Sequence, residues 1–206
     1  MAGERPVVRG RHMKALLTAV AAWPTGERVA PLVKVATLDA VARAGGLDWL
    51  PVALNLELTQ AIYDGLGPLE ADRFFRAQTL ASFDGPILQT FVSTAVRIMG
   101  LDPASFGRWV PKGWNMIFRN TGDWEIAEPP PGSTAVTLTL GKLPGDCADH
   151  PVWPRSVARS LEALLDLARV SGSLALQPRA PGGRALQFQM RWVASARAER
   201  PGPGPG

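Results

Sequence analysis

Along the first 120 residues hydrophobic positions recur every three to four residues, and over most of the remainder every second residue, so the chain reads as helices followed by strands. Met13 to Ala22 predicts a short helix stopped by Trp23-Pro24. A second helix is expected from about Ala30 to Ala44, with Leu32, Val35, Leu38 and Ala42 at helical spacing and Gly45-Gly46 closing it. Leu47 to Pro51 reads as a joint, because the residue before a proline avoids the helical region. A third helix places Val52, Leu56, Thr59, Ile62 and Tyr63 on one face and closes at Gly65 to Gly67. Pro68, with Glu70 and Asp72 in the first turn, announces a fourth that carries Phe74, Phe75 and Leu80. The fifth, Ile87 to Met99, is the most apolar. A sixth starts at Asp102-Pro103 and runs through Phe106 and Trp109 toward Phe118, with Pro111 and Gly113 expected to kink it.

Past residue 123 the period becomes two. Trp124 and Ile126 alternate with Glu125; Val136, Leu138 and Leu140 alternate with Thr137 and Thr139. A helix is predicted from about Arg155 to Arg169, then a short strand at Leu174 and Leu176, then a strand with Leu186, Phe188, Met190 and Trp192 on one side. Two hairpins flanking a helix, each strand half apolar, make an antiparallel sheet buried on one face and wet on the other. The fold class is α+β: a helical layer on one face of a four-stranded antiparallel sheet.

Charge alters this picture only at the ends. Residues 1–14 carry +3 and residues 195–206 carry +1, so the body between them is neutral although the chain as a whole is +4. A neutral body has no evident phosphate-binding face, which makes nucleic acid an unfavoured partner. Residues 1–11 are read as a disordered basic arm, 12–194 as one domain, and 195–206, which end in Pro-Gly-Pro-Gly-Pro-Gly, as a disordered tail. No apolar run approaches a transmembrane length, and a single cysteine fits a cytoplasmic protein without disulfides.

Reactive groups are scarce. Asp146, Cys147, Asp149 and His150 form the densest cluster, but Cys147 and His150 supply at most half a zinc site, and His12 lies in the basic arm. The same pair read as a nucleophile and its base is an enzymatic alternative. No G-x-S-x-G, H-E-x-x-H or phosphate-cradling G-x-x-x-x-G-K motif is present. Neither a catalytic residue, a metal nor a cofactor is assigned. The candidate binding residues are the aromatic group Trp109, Trp114 and Phe118 with Arg119.

Several stretches carry a resemblance: Trp49-Leu50-Pro51-Val52, Gly65-Leu66-Gly67, Phe74-Phe75-Arg76, Trp114 to Gly122 leading into Trp124-Glu125-Ile126, and Ser160 to Leu165. They resemble a family of myxobacterial paralogues of unknown function, itself distantly similar to TRAPP-like, vinyl-reductase-type and haem-NO-binding-like small-molecule-binding domains. The resemblance spans residues 12–193 and implies a non-catalytic domain that binds a hydrophobic ligand or a protein partner, often as a dimer. Haem-binding cousins need an axial histidine on a helix, and no histidine lies between residues 12 and 150, so a haem does not carry over.

The function expected from the sequence is a cytoplasmic adaptor or sensor-like binding domain that works through an apolar helical surface or a cavity beneath it. The alternatives are DNA or membrane-surface binding assisted by the basic arm, and an enzyme that depends on Cys147 and His150.

Overall fold

The computed structural model describes residues 5–83, 107–130 and 132–193. The fifth predicted helix and the start of the sixth lie outside the described residues, as do residues 1–4 and 194–206.

Strands β1 (Val7–Arg9), β2 (Trp49–Pro51) and β3 (Phe118–Arg119) form a small antiparallel sheet in the order β2-β1-β3. Val8 pairs with Leu50 on one side and Phe118 on the other, and its side chain is fully buried. The disordered arm expected through residue 11 is therefore corrected for residues 7–11. The β-branched pair Val7-Val8 sits at the centre of a sheet, and Gly10 opens the next helix. A Cβ on Gly10 would come within 2.4 Å of the Gly45 carbonyl oxygen, so only glycine admits the close approach that lets its amide donate to the Asp48 carbonyl at 2.9 Å. The joint at 47–51 likewise contains a strand, because its backbone has β1 to pair with.

Helix α1 (Gly10–Ala22) ends at Trp23 as expected. The second predicted helix begins later, as α2 (Val35–Arg43). Residues 26–28 and 30–32 form two 3-10 turns instead, with Pro31 in the second. Helices α3 (Val52–Leu66) and α4 (Pro68–Phe83) match the pattern, and Gly67 separates them at φ +79. The described part of the sixth helix is α5 (Val110–Ile117), with Pro111 in its first turn, where a missing N–H costs nothing. It stops one residue before Phe118, which enters β3.

Strands β4 (Asp123–Ile126), β5 (Ala135–Gly141), β6 (Gly172–Leu176) and β7 (Leu186–Trp192) form the four-stranded antiparallel sheet, in the order β4-β5-β7-β6. The register sets Val136, Leu138 and Leu140 opposite Met190, Phe188 and Leu186, so both central strands bury the same face. Thr137 and Thr139 sit opposite Gln189 and Gln187 on the other. Between β5 and β6 come a short helix, α6 (Gly145–Ala148), and α7 (Trp153–Leu167).

Helix α7 packs on β6 and β7 on one side and on α4 and α3 on the other. It is buried around most of its circumference, from Trp153 and Val157 to Leu161, Leu164 and Leu165, as expected of a helix between two layers. The amino-terminal helices thus reach the sheet largely through α7.

Candidate functional site

The layers leave a cavity of about 480 Å³ bounded by α1, α3, α4, α5 and α7. Each element contributes the face its sequence period dictates. Helix α1 supplies His12 and Leu16, four residues apart, and α7 supplies Trp153, Val157, Leu161 and Leu164 along one stripe. Phe75 comes from α4, and Trp114 and Ile117 from α5.

Three of the four residues chosen from the sequence meet here. Trp114 stacks at 4.4 Å between ring centroids on Phe118 and lies edge-on to Trp153 at 5.9 Å and Trp124 at 5.5 Å. Its indole N–H donates to Thr121 Oγ1 at 3.1 Å. Trp109, at the start of α5, also lines the cavity, with the Lys112 ammonium 5.1 Å from its ring. Arg119 is not part of the wall. As the residue after Phe118 in a strand it points the opposite way, and its guanidinium lies 4.4 Å from the Trp49 ring, whose stacking partners also include Arg9 at 3.7 Å.

The sequence reading missed His12, which it set in the basic arm. Its ring packs edge-on against Phe118 at 5.6 Å, and burial, with Arg11 adding repulsion, lowers its pKa to about 4, so the imidazole is neutral at pH 7. The signal available was the Val7-Val8 pair ahead of Gly10, which marks a strand running into a helix. Asn55 was missed as well: it accepts from Trp153 Nε1 at 3.2 Å and donates toward Met13 Sδ at 3.6 Å.

Cys147 and His150 do not form a reactive pair. Cys147 is fully buried on α6, and burial, together with Asp146, pushes its thiol up to about 12. His150 Nδ1 accepts the backbone N–H of Val152 and Trp153, at 3.4 and 3.1 Å, and so caps the start of α7. Among the described residues no group of three His, Cys, Asp or Glu gathers to hold a metal.

No family model matches the sequence, and no curated protein matches it. Solved structures that it matches include H-NOX proteins. The Fe(II) unliganded H-NOX protein from K. algicida is 12% identical at a TM-score of 0.63, over 91% of this chain and 98% of that one. An H-NOX structure described as probing the function of heme distortion in that family is 10% identical at a TM-score of 0.56, over 89% and 94%. An oxygen-binding H-NOX domain related to soluble guanylate cyclases is 9% identical at 0.52, over 89% and 94%. This chain has the H-NOX fold.

That fold raises the question of haem, and the donors on this wall do not fit it. Haem iron is held by His, Cys, Met or Tyr. The described wall offers His12 and Met116, and residues 84–106 add Met99 but no His, Cys or Tyr. An imidazole that ligates a metal is oriented by donating its second N–H, and the His12 ring has no such partner among the described residues.

Proposed function

We propose that this chain is a non-catalytic, sensor-like domain that holds a small apolar molecule in the cavity between its amino-terminal helices and α7. One observation carries the reading: a cavity of about 480 Å³, within the range of small-molecule sites, whose deep wall is aromatic and aliphatic. The fold supports it, since the similar structures are described as Fe(II), heme or oxygen-binding H-NOX proteins. The residues we assign to the ligand are Trp109, Trp114 and Phe118. Arg119 belongs instead with the Trp49 stack on the outer face. The likeness to myxobacterial paralogues and to TRAPP-like and vinyl-reductase-type domains rests on the sequence motifs above, as do a dimer and a protein partner, and a cytoplasmic location rests on the single cysteine.

Calorimetric titration with dodecan-1-ol tests the reading. The wild type is expected to bind saturably, and Ser160→Trp, which places an indole in the cavity from α7, is expected to lose binding while keeping the wild-type circular dichroism. No saturable binding to the wild type, or equal binding to a folded Ser160→Trp, overturns it.

A further inference from the structure

The charge on the cavity wall is one-sided. Its described residues include Arg11 and Lys112 but no aspartate or glutamate. Both cations are exposed and therefore stand at the rim, whereas Leu16, Phe75, Phe118, Trp153 and Leu161 are buried beneath them. Several polar groups of the interior are engaged within the protein, whereas the His12 ring donates to no described partner. Trp114 donates to Thr121 and Trp153 to Asn55, and the hydroxyls of Thr79, Ser82 and Ser156 donate to backbone carbonyls of their own helices. Among the described residues a ligand thus finds mostly hydrocarbon and aromatic surface, with the His12 ring, at depth and positive charge at the mouth.

Arg11 is the anchor. Its amide donates to the Gly46 carbonyl at 3.1 Å, which fixes the backbone, while Asp48 in the same turn turns its carboxylate to the Gly45 amide at 2.7 Å and not to Arg11. Arg9, nearby, is itself engaged with the Leu47 carbonyl and the Trp49 ring, so it adds positive field without competing for an anion at the rim.

We infer that the cavity takes a single-chain anionic amphiphile, with its tail among the aromatic residues and its carboxylate or phosphate head at Arg11. This rests on the reading of the cavity as a ligand site. One tail, not two, suits a volume toward the lower end of the small-molecule range. A guanidinium in particular offers a carboxylate or phosphate paired N–H donors.

Calorimetric titration of the full chain below micellar concentrations separates this inference from the reading it rests on. The probes are dodecanoate, dodecyl phosphate, dodecan-1-ol and dodecyltrimethylammonium. Both anions are expected to bind about tenfold more tightly than the alcohol, the worth of a charge-assisted contact, and the ammonium more weakly than it. Arg11→Gln is expected to bring anions and alcohol to equal affinity while leaving the alcohol unchanged. The anionic advantage is expected to shrink with added salt. Equal binding of anions and alcohol by the wild type, or an anionic preference that survives in Arg11→Gln, overturns the charge inference and leaves the cavity reading intact. Failure of all four probes overturns the cavity reading itself.

Discussion

Trp153, at the start of α7, donates its indole N–H to Asn55 Oδ1 on α3 at 3.2 Å, and both side chains are almost fully buried. The bond joins residues 98 apart in sequence and fixes the position of α7 between the sheet and the amino-terminal helices, at the wall of the cavity. Asn55→Ala leaves a buried donor unpaired and is expected to cost about 1–3 kcal/mol in urea unfolding. The double variant with Trp153→Phe, which removes the donor as well, is expected to be less destabilised than the sum of the single changes.

A second tie between the same layers is ionic. Arg76 on α4 makes a two-pronged pair with Asp166 on α7, at 2.6 and 2.7 Å, and Arg155 pairs in the same way with Asp72 at 2.8 Å. Burial raises the Asp72 carboxyl, but the hydrogen bonds from Arg155 and Tyr63 overcome it and hold the group below the ordinary aspartate value. A carboxyl lowered in the folded state contributes stability that is complete above its unfolded value near 4 and is lost as the pH falls through the folded value. Asp72→Asn is therefore expected to lower stability at pH 7 and to flatten the acid limb of a stability–pH curve measured with urea.

His12 and His150 act in the opposite sense to a salt-bridged histidine. Burial lowers both, His12 to about 4 with Arg11 assisting, so each is favoured neutral in the folded chain. Their stabilisation is complete above the unfolded value near 6.5 and is lost as the pH falls below it, down to about 4 for His12. His12→Phe is expected to reduce the slope of stability between pH 6.5 and 4. The same variant tests the donor argument against haem: wild type and His12→Phe are expected to give the same hemin absorbance spectrum, without an imidazole-ligated band in either.

The Cys147 thiol, buried and held protonated, is expected to react with a disulfide reagent at pH 8 far more slowly than a free thiol and to become fast only in urea. Fast labelling of the folded chain would restore the enzymatic alternative.

The sequence made much of this structure legible, and the omissions have physical causes. Period-two alternation exposed all four strands of the larger sheet, because each has one buried and one wet face. The smaller sheet was hidden, since β1, β2 and β3 are three, three and two residues long and show no alternation to count. Their stability comes from pairing across the chain, as Val8 does with Leu50 and Phe118. For the cavity, the aromatic spacing on the sixth helix found Trp109, Trp114 and Phe118. It failed for Arg119 because the helix gives way to a strand at Phe118 and reverses the next side chain. Asn55 carried no local signal, because its meaning depends on which helix α7 is packed against, and His12 was signalled only indirectly, by the Val7-Val8 pair ahead of Gly10.

The central claim is that the space bounded by Leu16, Trp114, Phe118 and Leu161 receives the tail of a ligand. Nuclear Overhauser contacts between dodecanoate and the protein test it most directly. The account expects contacts from the tail protons to the ring protons of Trp114 and Phe118, and contacts from the protons next to the carboxylate to the side chain of Arg11. Tail contacts confined to the outer residues Leu32, Leu47 or Leu69, or contacts to Trp114 that persist unchanged in a folded Ser160→Trp variant, would contradict it.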